Sequence, residues 1–235
     1  MLRRAHFIRR SLPNFLVELA LIIIGVLSAL AVENFRESVA ERRKEREYLL
    51  ALREAVQSDT AVTRKEIQRC FNKQKACAIF LQLADGNKPK EIPQDQFEDM
   101  VASVVMLIDP VYNTATYEDL KSSGNLKILS NSDLRNAVIS YYADLYKTST
   151  RFTEMATQTS YNEEFTDVLE PEEFSFDKEI SQSKVIGQLK NDERSKLYLK
   201  RLQKRVMAMK SAFIYQLLPK SLDLLDKLNL EISKR

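Results

Sequence analysis

One histidine, two cysteines, and a scatter of serines, tyrosines and carboxylates are among the residues from which this chain could build chemistry. His6 is the sole imidazole, and it lies among Arg3, Arg4, Arg9 and Arg10, directly ahead of an apolar run. If that run crosses a membrane, His6 is separated from every later nucleophile. Ser-His-Asp and Cys-His catalysis then fail, as do histidine-based metal sites in the later part of the chain. Four dispersed glycines cannot form a phosphate-binding Gly-rich loop. Carboxylates are plentiful, but no pair is marked by its spacing. The expectation is no enzyme, no cofactor and no metal.

Cys70 and Cys77 lie seven apart in a helical pattern, about 10.5 Å along one face. That is too far for a bridge within one helix. Two small buried thiols are expected, with a bridge between chains as the alternative. Ser122-Ser123-Gly124-Asn125 is the most motif-like turn. Polar side chains around a glycine suit a helix C-cap with no ligand. The sharper reading is a partner or small-ligand contact beside Tyr117, Tyr141 and Tyr142.

Glu18 is the one charge in the eighteen-residue run Phe15 to Val32, FLVELALIIIGVLSALAV. At 1.5 Å per residue the run spans about 27 Å, enough for a bilayer core. A carboxylate there is costly. It can reach the headgroup layer or the Arg9/Arg10 region. Alternatively it hydrogen-bonds across a helix contact, since Glu18, Ile22, Gly25, Ala29 and Val32 step by four, three, four and three along one face. Gly25 and Ala29 form a small-xxx-small pair that permits close helix approach. One carboxylate alone makes no proton relay.

The elements that would hold these residues are helices. The chain has 235 residues with only 4 Gly and 6 Pro, 29% charged and 44% apolar side chains. Such a composition favours long helices around a core. Of 36 basic and 33 acidic side chains, four and one precede residue 19, so 32 of each remain. A neutral remainder gives no footprint for nucleic acid.

The run is read as an uncleaved anchor. The rival is a signal peptide cleaved near Ala29-Leu30-Ala31, but the run is long and the helical pattern continues past it. Lys and Arg on the two flanks nearly tie. A short basic N-terminus ahead of a first span usually stays inside, so a cytoplasmic N-terminus and a periplasmic helical domain in a bacterial inner membrane are expected.

The fold expected is all-α: a basic tail over 1–13, a transmembrane helix over 14–33 and a membrane-proximal stalk helix over 34–84. An antiparallel helical bundle over 85–235 then packs on the stalk. Leu49, Leu52, Val56, Thr63, Ile67, Cys70, Gln74, Cys77 and Leu81 sit near a heptad stripe with a polar gap at Ser58-Asp59-Thr60. Gly86-Asn87-Lys88-Pro89 is a loop. A short helix follows with Phe97, Val101, Val104 and Ile108, stopped by Asp109-Pro110. Thr114 to Ser123 is another, with Gly124 as its left-handed C-cap. A third major helix starts at Ser130 to Ser132, with the stripe Leu134, Val138, Tyr141, Leu145, Thr148, Phe152, Met155 and Thr159, and ends near Glu170-Pro171. After the linker PEEFSFDKE comes a short helix with Val185, Ile186 and Leu189. The last helix starts near Asp192 with Leu199, Leu202, Val206, Met209 and Phe213. Leu222, Leu225, Leu228 and Ile232 carry it on past a kink at Pro219. Residues 163–179 hold eight acids and one Lys, and 194–210 hold seven basic residues and no acid. These runs are solvated, paired within the domain, or a docking surface for a charged partner.

The strings VELALIIIGVLSALAVENFRE and EYLLALREAVQSD carry Glu18, Gly25, Ala29-Leu30 and Asn34-Phe35. With TYEDLKSSGNLKILSNSDLRNAVISYY they resemble an uncharacterised bacterial membrane family, domain of unknown function 6090. The likeness covers most of residues 14–146. Phe35 stands where that family usually has Trp. The resemblance implies the anchor-plus-helices architecture and no activity. The role expected is a membrane-anchored scaffold or accessory subunit, a homo-oligomer or part of a membrane complex. The alternative is an extracytoplasmic sensor-like module signalling through a partner. A polar pocket at Tyr117, Tyr141 and Tyr142 would favour the sensor. A dry core with an exposed apolar strip would favour the scaffold.

Overall fold

A computed structural model of the chain describes residues 5–87, 92–157 and 180–234. Among these residues there are helices and no strand, as expected. The elements are α1 (Ala5–Ala84), α2 (Gln94–Val105), α3 (Ala115–Ser122), a 3-10 turn (Asn125–Ile128) and α4 (Ser132–Thr157). They continue with α5 (Gln182–Asn191), α6 (Glu193–Ala212), a π turn (Phe213–Leu217) and α7 (Leu218–Ser233). The chain divides into two compact units, Met1–Tyr48 and Leu49–Arg235. Lys88, Pro89, Thr159, Glu170-Pro171, the PEEFSFDKE linker and the acidic stretch 163–179 lie outside the described residues.

In the first unit α1 carries the apolar run. Side chains from Val17 to Glu37 are exposed throughout, and this is the one described helix long and apolar enough to cross a membrane. Beyond it Arg43 and Glu47 form an exposed i,i+4 pair at 3.2 Å, a contact of about 0.3–0.5 kcal/mol.

In the second unit the distal part of α1 is the axis on which the other helices pack. No Gly or Pro interrupts α1 between Gly25 and Gly86. The helix stops where Gly86 takes φ +84. Gly86 N–H then bonds Leu83 O and Asn87 N–H bonds Gln82 O, both at 3.1 Å, a Schellman closure open chiefly to glycine. Against α1, α2 runs antiparallel. Phe97 meets Phe80 edge-on at 5.6 Å, and Lys73 reaches the carbonyls of Val104 and Met106. α6 is also antiparallel, with Lys210 bonded to Gln74 and Lys196 interacting with Asp85 at the far end of α1. α7 returns along α4: Lys220 pairs with Asp144, and Asn131 donates to Glu231 at 2.8 Å.

The stripe of α4 is buried as expected from Leu134 through Phe152, and that of α6 from Leu199 through Phe213. Asn131 caps α4, accepting from the amides of Asp133 and Leu134 at 3.1 and 3.2 Å. Asp192 caps α6, accepting from the amides of Arg194 and Ser195. Gly124 takes φ +72 after α3.

Three local expectations are corrected. α2 ends at Val105 rather than at Asp109-Pro110, because cations from α1 take up the carbonyls that further helical turns would use. Pro219 produces a π turn over Phe213–Leu217, with Leu218 N–H bonded to Phe213 O. A proline lacks the amide for the α ladder and its ring crowds the carbonyl four residues back. Past that turn the buried register is Leu217, Ser221, Leu224, Leu228 and Glu231, and Leu222 faces solvent. The π turn adds a residue to its turn, and so resets which leucines point inward.

Candidate functional site

The third correction concerns α1. Its buried face steps Leu49, Leu52, Val56, Asp59, Thr63, Glu66, Cys70, Lys73, Cys77, Phe80 and Ala84, alternating three and four without a gap. Ile67, Gln74 and Leu81 flank this seam and are only half-buried. The supposed polar gap is part of the seam: Asp59 and Thr60 are buried, as are Glu66 and Lys73. A polar group in such a place must be hydrogen-bonded to be tolerated.

The partners come chiefly from residues 106–114, which link α2 to α3 without regular structure. Asp59 Oδ1 accepts from the Asn113 amide at 2.7 Å. Asp59 Oδ2 accepts from the Tyr141 hydroxyl at 3.1 Å. Thr63 Oγ1 donates within its own helix to Asp59 O at 2.8 Å and lies 3.5 Å from the Tyr112 hydroxyl. Glu66 Oε1 accepts from Arg69 at 2.9 Å, and Arg69 in turn donates to Leu107 O at 3.0 Å. Lys73 donates to Val104 O at 3.0 Å and to Met106 O. Asn113 O accepts from Tyr142 at 3.4 Å. Thus a polar ladder on α1 grips a connecting segment by its backbone.

The electrostatics follow from burial. Desolvation lifts the Asp59 carboxyl to about 6, although the Asn113 and Tyr141 donors pull it back. Desolvation lowers the Lys73 ammonium to about 8. The thiols of Cys70 and Cys77, free and buried, are pushed up to about 12 by burial first. Such thiols are poor nucleophiles. Burial also raises the hydroxyls of Tyr112, Tyr141 and Tyr142 above their usual range. Among the described residues no group of three or more His, Cys, Asp or Glu is placed to hold a metal.

The structure brings the three singled-out tyrosines together. Tyr117 stacks on Tyr142 with centroids 4.3 Å apart and planes 7° from parallel. Tyr141 meets Tyr142 edge-on at 5.0 Å. All three are buried and fill space against one another. The Ser122-Ser123-Gly124-Asn125 turn faces outward instead. Both serine hydroxyls donate to Asp119 O, at 3.4 and 2.6 Å, Ser122 to Gly124 are exposed and Asn125 is half-buried. In the first unit Glu18, Ile22, Gly25, Ala29 and Val32 are exposed on α1, and a Cβ added at Gly25 would meet open space. Glu66, Arg69 and Lys73 were not singled out from the sequence, and Asp59 only as part of a polar gap. The signal available for Asp59, Glu66 and Lys73 was their spacing, which continues the three-four alternation of the apolar seam; Arg69 lies beside it.

No protein-family model, curated protein or solved structure matches this chain.

Proposed function

We propose that this chain is a membrane-anchored helical scaffold or accessory subunit that acts by protein–protein contact rather than by catalysis. One observation carries the reading: the apolar stretch of α1 buries none of its side chains within the protein. Water solvates such a surface poorly and a bilayer solvates it well. Phe15 and Phe35, 62% and 69% exposed, stand twenty residues apart, about 30 Å along a helix, which matches a hydrocarbon core.

The anchor self-associates through Glu18, Ile22, Gly25, Ala29 and Val32. Gly25 leaves room for close backbone approach, and Glu18 finds a hydrogen-bond partner on the neighbouring helix. The basic stretch before the span stays cytoplasmic, and the second unit lies in the periplasm of a bacterial inner membrane. The resemblance to domain of unknown function 6090 goes with the anchor-plus-helices architecture and implies no activity. The tyrosine cluster, closed on itself, supports a scaffold over a ligand-binding sensor.

Self-association is tested by light scattering of the full chain in mild detergent micelles. A dimer or larger assembly is expected, and Gly25→Leu with Ala29→Leu should weaken it about ten-fold, the equivalent of 1–2 kcal/mol. A monomer at every protein-to-detergent ratio would defeat the scaffold reading.

A further inference from the structure

Asp59 is wholly buried, and its two carboxylate oxygens tie three parts of the second unit together: α1, the 106–114 segment through the Asn113 amide, and α4 through the Tyr141 hydroxyl. Both donors are neutral. The titratable groups around it are Tyr112 on the segment, Tyr141 and Tyr142 on α4, and Glu66 one heptad along α1. Glu66 already has its cation in Arg69. Among the described residues no Lys or Arg pairs with Asp59. An ionised carboxylate there depends on two hydrogen bonds to replace its hydration, and ionisation in such a place is costly.

Among the described residues of the second unit, the segment it holds is one that can yield, although Ile108 is buried and Arg69 and Lys73 also hold its first carbonyls. Residues 106–114 carry no helical ladder of their own. Val111 at their tip is 82% exposed, and Met106 and Leu107 are exposed too. Local opening is easiest where few backbone bonds and little buried area must be given up. Opening here would bring water to Asp59.

We propose that Asp59 is a proton-sensitive latch: while its carboxyl is protonated the 106–114 segment stays clasped on α1, and ionisation favours release of that segment from Asn113 outward. Burial assigns the direction: the Asn113 and Tyr141 donors favour the ionised carboxylate, but the loss of hydration at a wholly buried site outweighs them. The clasped state holds the acid proton more tightly than a hydrated state does, so acidification favours clasping and ionisation opposes it. The rise of the carboxyl from 3.8 to about 6 limits the shift in the clasped-to-released ratio to about a hundred-fold. Release would rearrange the apolar tip Met106, Leu107 and Val111. This latch does not depend on the anchor reading.

Hydrogen exchange read by mass spectrometry on the full chain in detergent, from pH 5 to 8 and corrected for intrinsic rates, tests it. Peptides covering 106–114 should lose protection by about ten-fold between pH 5 and 8, with a midpoint near 6. In Asp59→Asn the same peptides should show no such step. In Tyr141→Phe, which removes one donor to the carboxylate, the midpoint should move upward. Protection in the unsubstituted chain that ignores pH would overturn the latch, as would a step that survives in Asp59→Asn. Should Asp59→Asn fail to fold, an unmoved or lowered midpoint in Tyr141→Phe overturns it.

Discussion

Lys73 occupies a seam position of α1 that an apolar side chain would ordinarily hold, and it spends its protons on the carbonyls of Val104 and Met106. Those carbonyls belong to the end of α2, where the helix ladder leaves acceptors open. Its ammonium therefore serves as a C-cap supplied by another helix. The depressed pKa of about 8 fixes the sign of its linkage. Between about 8 and 10.5 the unfolded chain binds the proton more than the native state does, so this group's contribution to stability rises with pH across that window. Chemical denaturation of the chain in detergent should show that rise, and Lys73→Met should abolish it. The variant should also lose about 1–3 kcal/mol near neutral pH, because two acceptors lose their donor. The cysteines give a second residue-scale expectation. Iodoacetamide at pH 8 should leave Cys70 and Cys77 unmodified in the native chain and label both after denaturation, since each is buried with a thiol raised to about 12.

At the scale of elements, the registers of α1 and α7 carry the argument. In α7 Leu224 and Leu228 point inward while Leu222 is exposed. Leu224→Ala should cost about 2–4 kcal/mol and Leu222→Ala under about 1 kcal/mol, measured by thermal or denaturant unfolding. Equal costs would contradict the register set by the π turn. The stripes of α4 and α6 were legible in the sequence because their members are apolar and regularly spaced. The α7 register was not, because leucines at 222, 224, 225 and 228 allow more than one face, and the π turn chooses among them. The α1 seam was hidden for a different reason. Asp59 reads as a gap until its donors are known, and these lie 54 and 82 positions away at Asn113 and Tyr141. Periodicity of apolar residues sees only the helix that carries them. The Ser-Ser-Gly-Asn turn was legible as a cap at Gly124. Its proposed meeting with the tyrosines depended on which way α3 faces, and Tyr117 turns inward while the serines turn out.

For the whole molecule, the contrast between the two units is the physical basis of the proposed role. The second unit buries its apolar side chains and satisfies most of its buried polar atoms, with Glu66 Oε2 and Gln188 Oε1 as exceptions among the described residues. The first unit carries an apolar stretch that buries none of its side chains. Only an apolar solvent or a partner resolves that imbalance. The proposed orientation has its own test. A reporter active only in the periplasm, fused after Arg235, should be active, and an inactive fusion would reverse the topology. The most direct measurement on the central claim is alkaline carbonate extraction of membranes from cells expressing the full chain. Retention of the uncleaved 27.2 kDa chain in the membrane pellet is the expected result. Release into the supernatant, or recovery of a shortened chain lacking the apolar stretch, would contradict it.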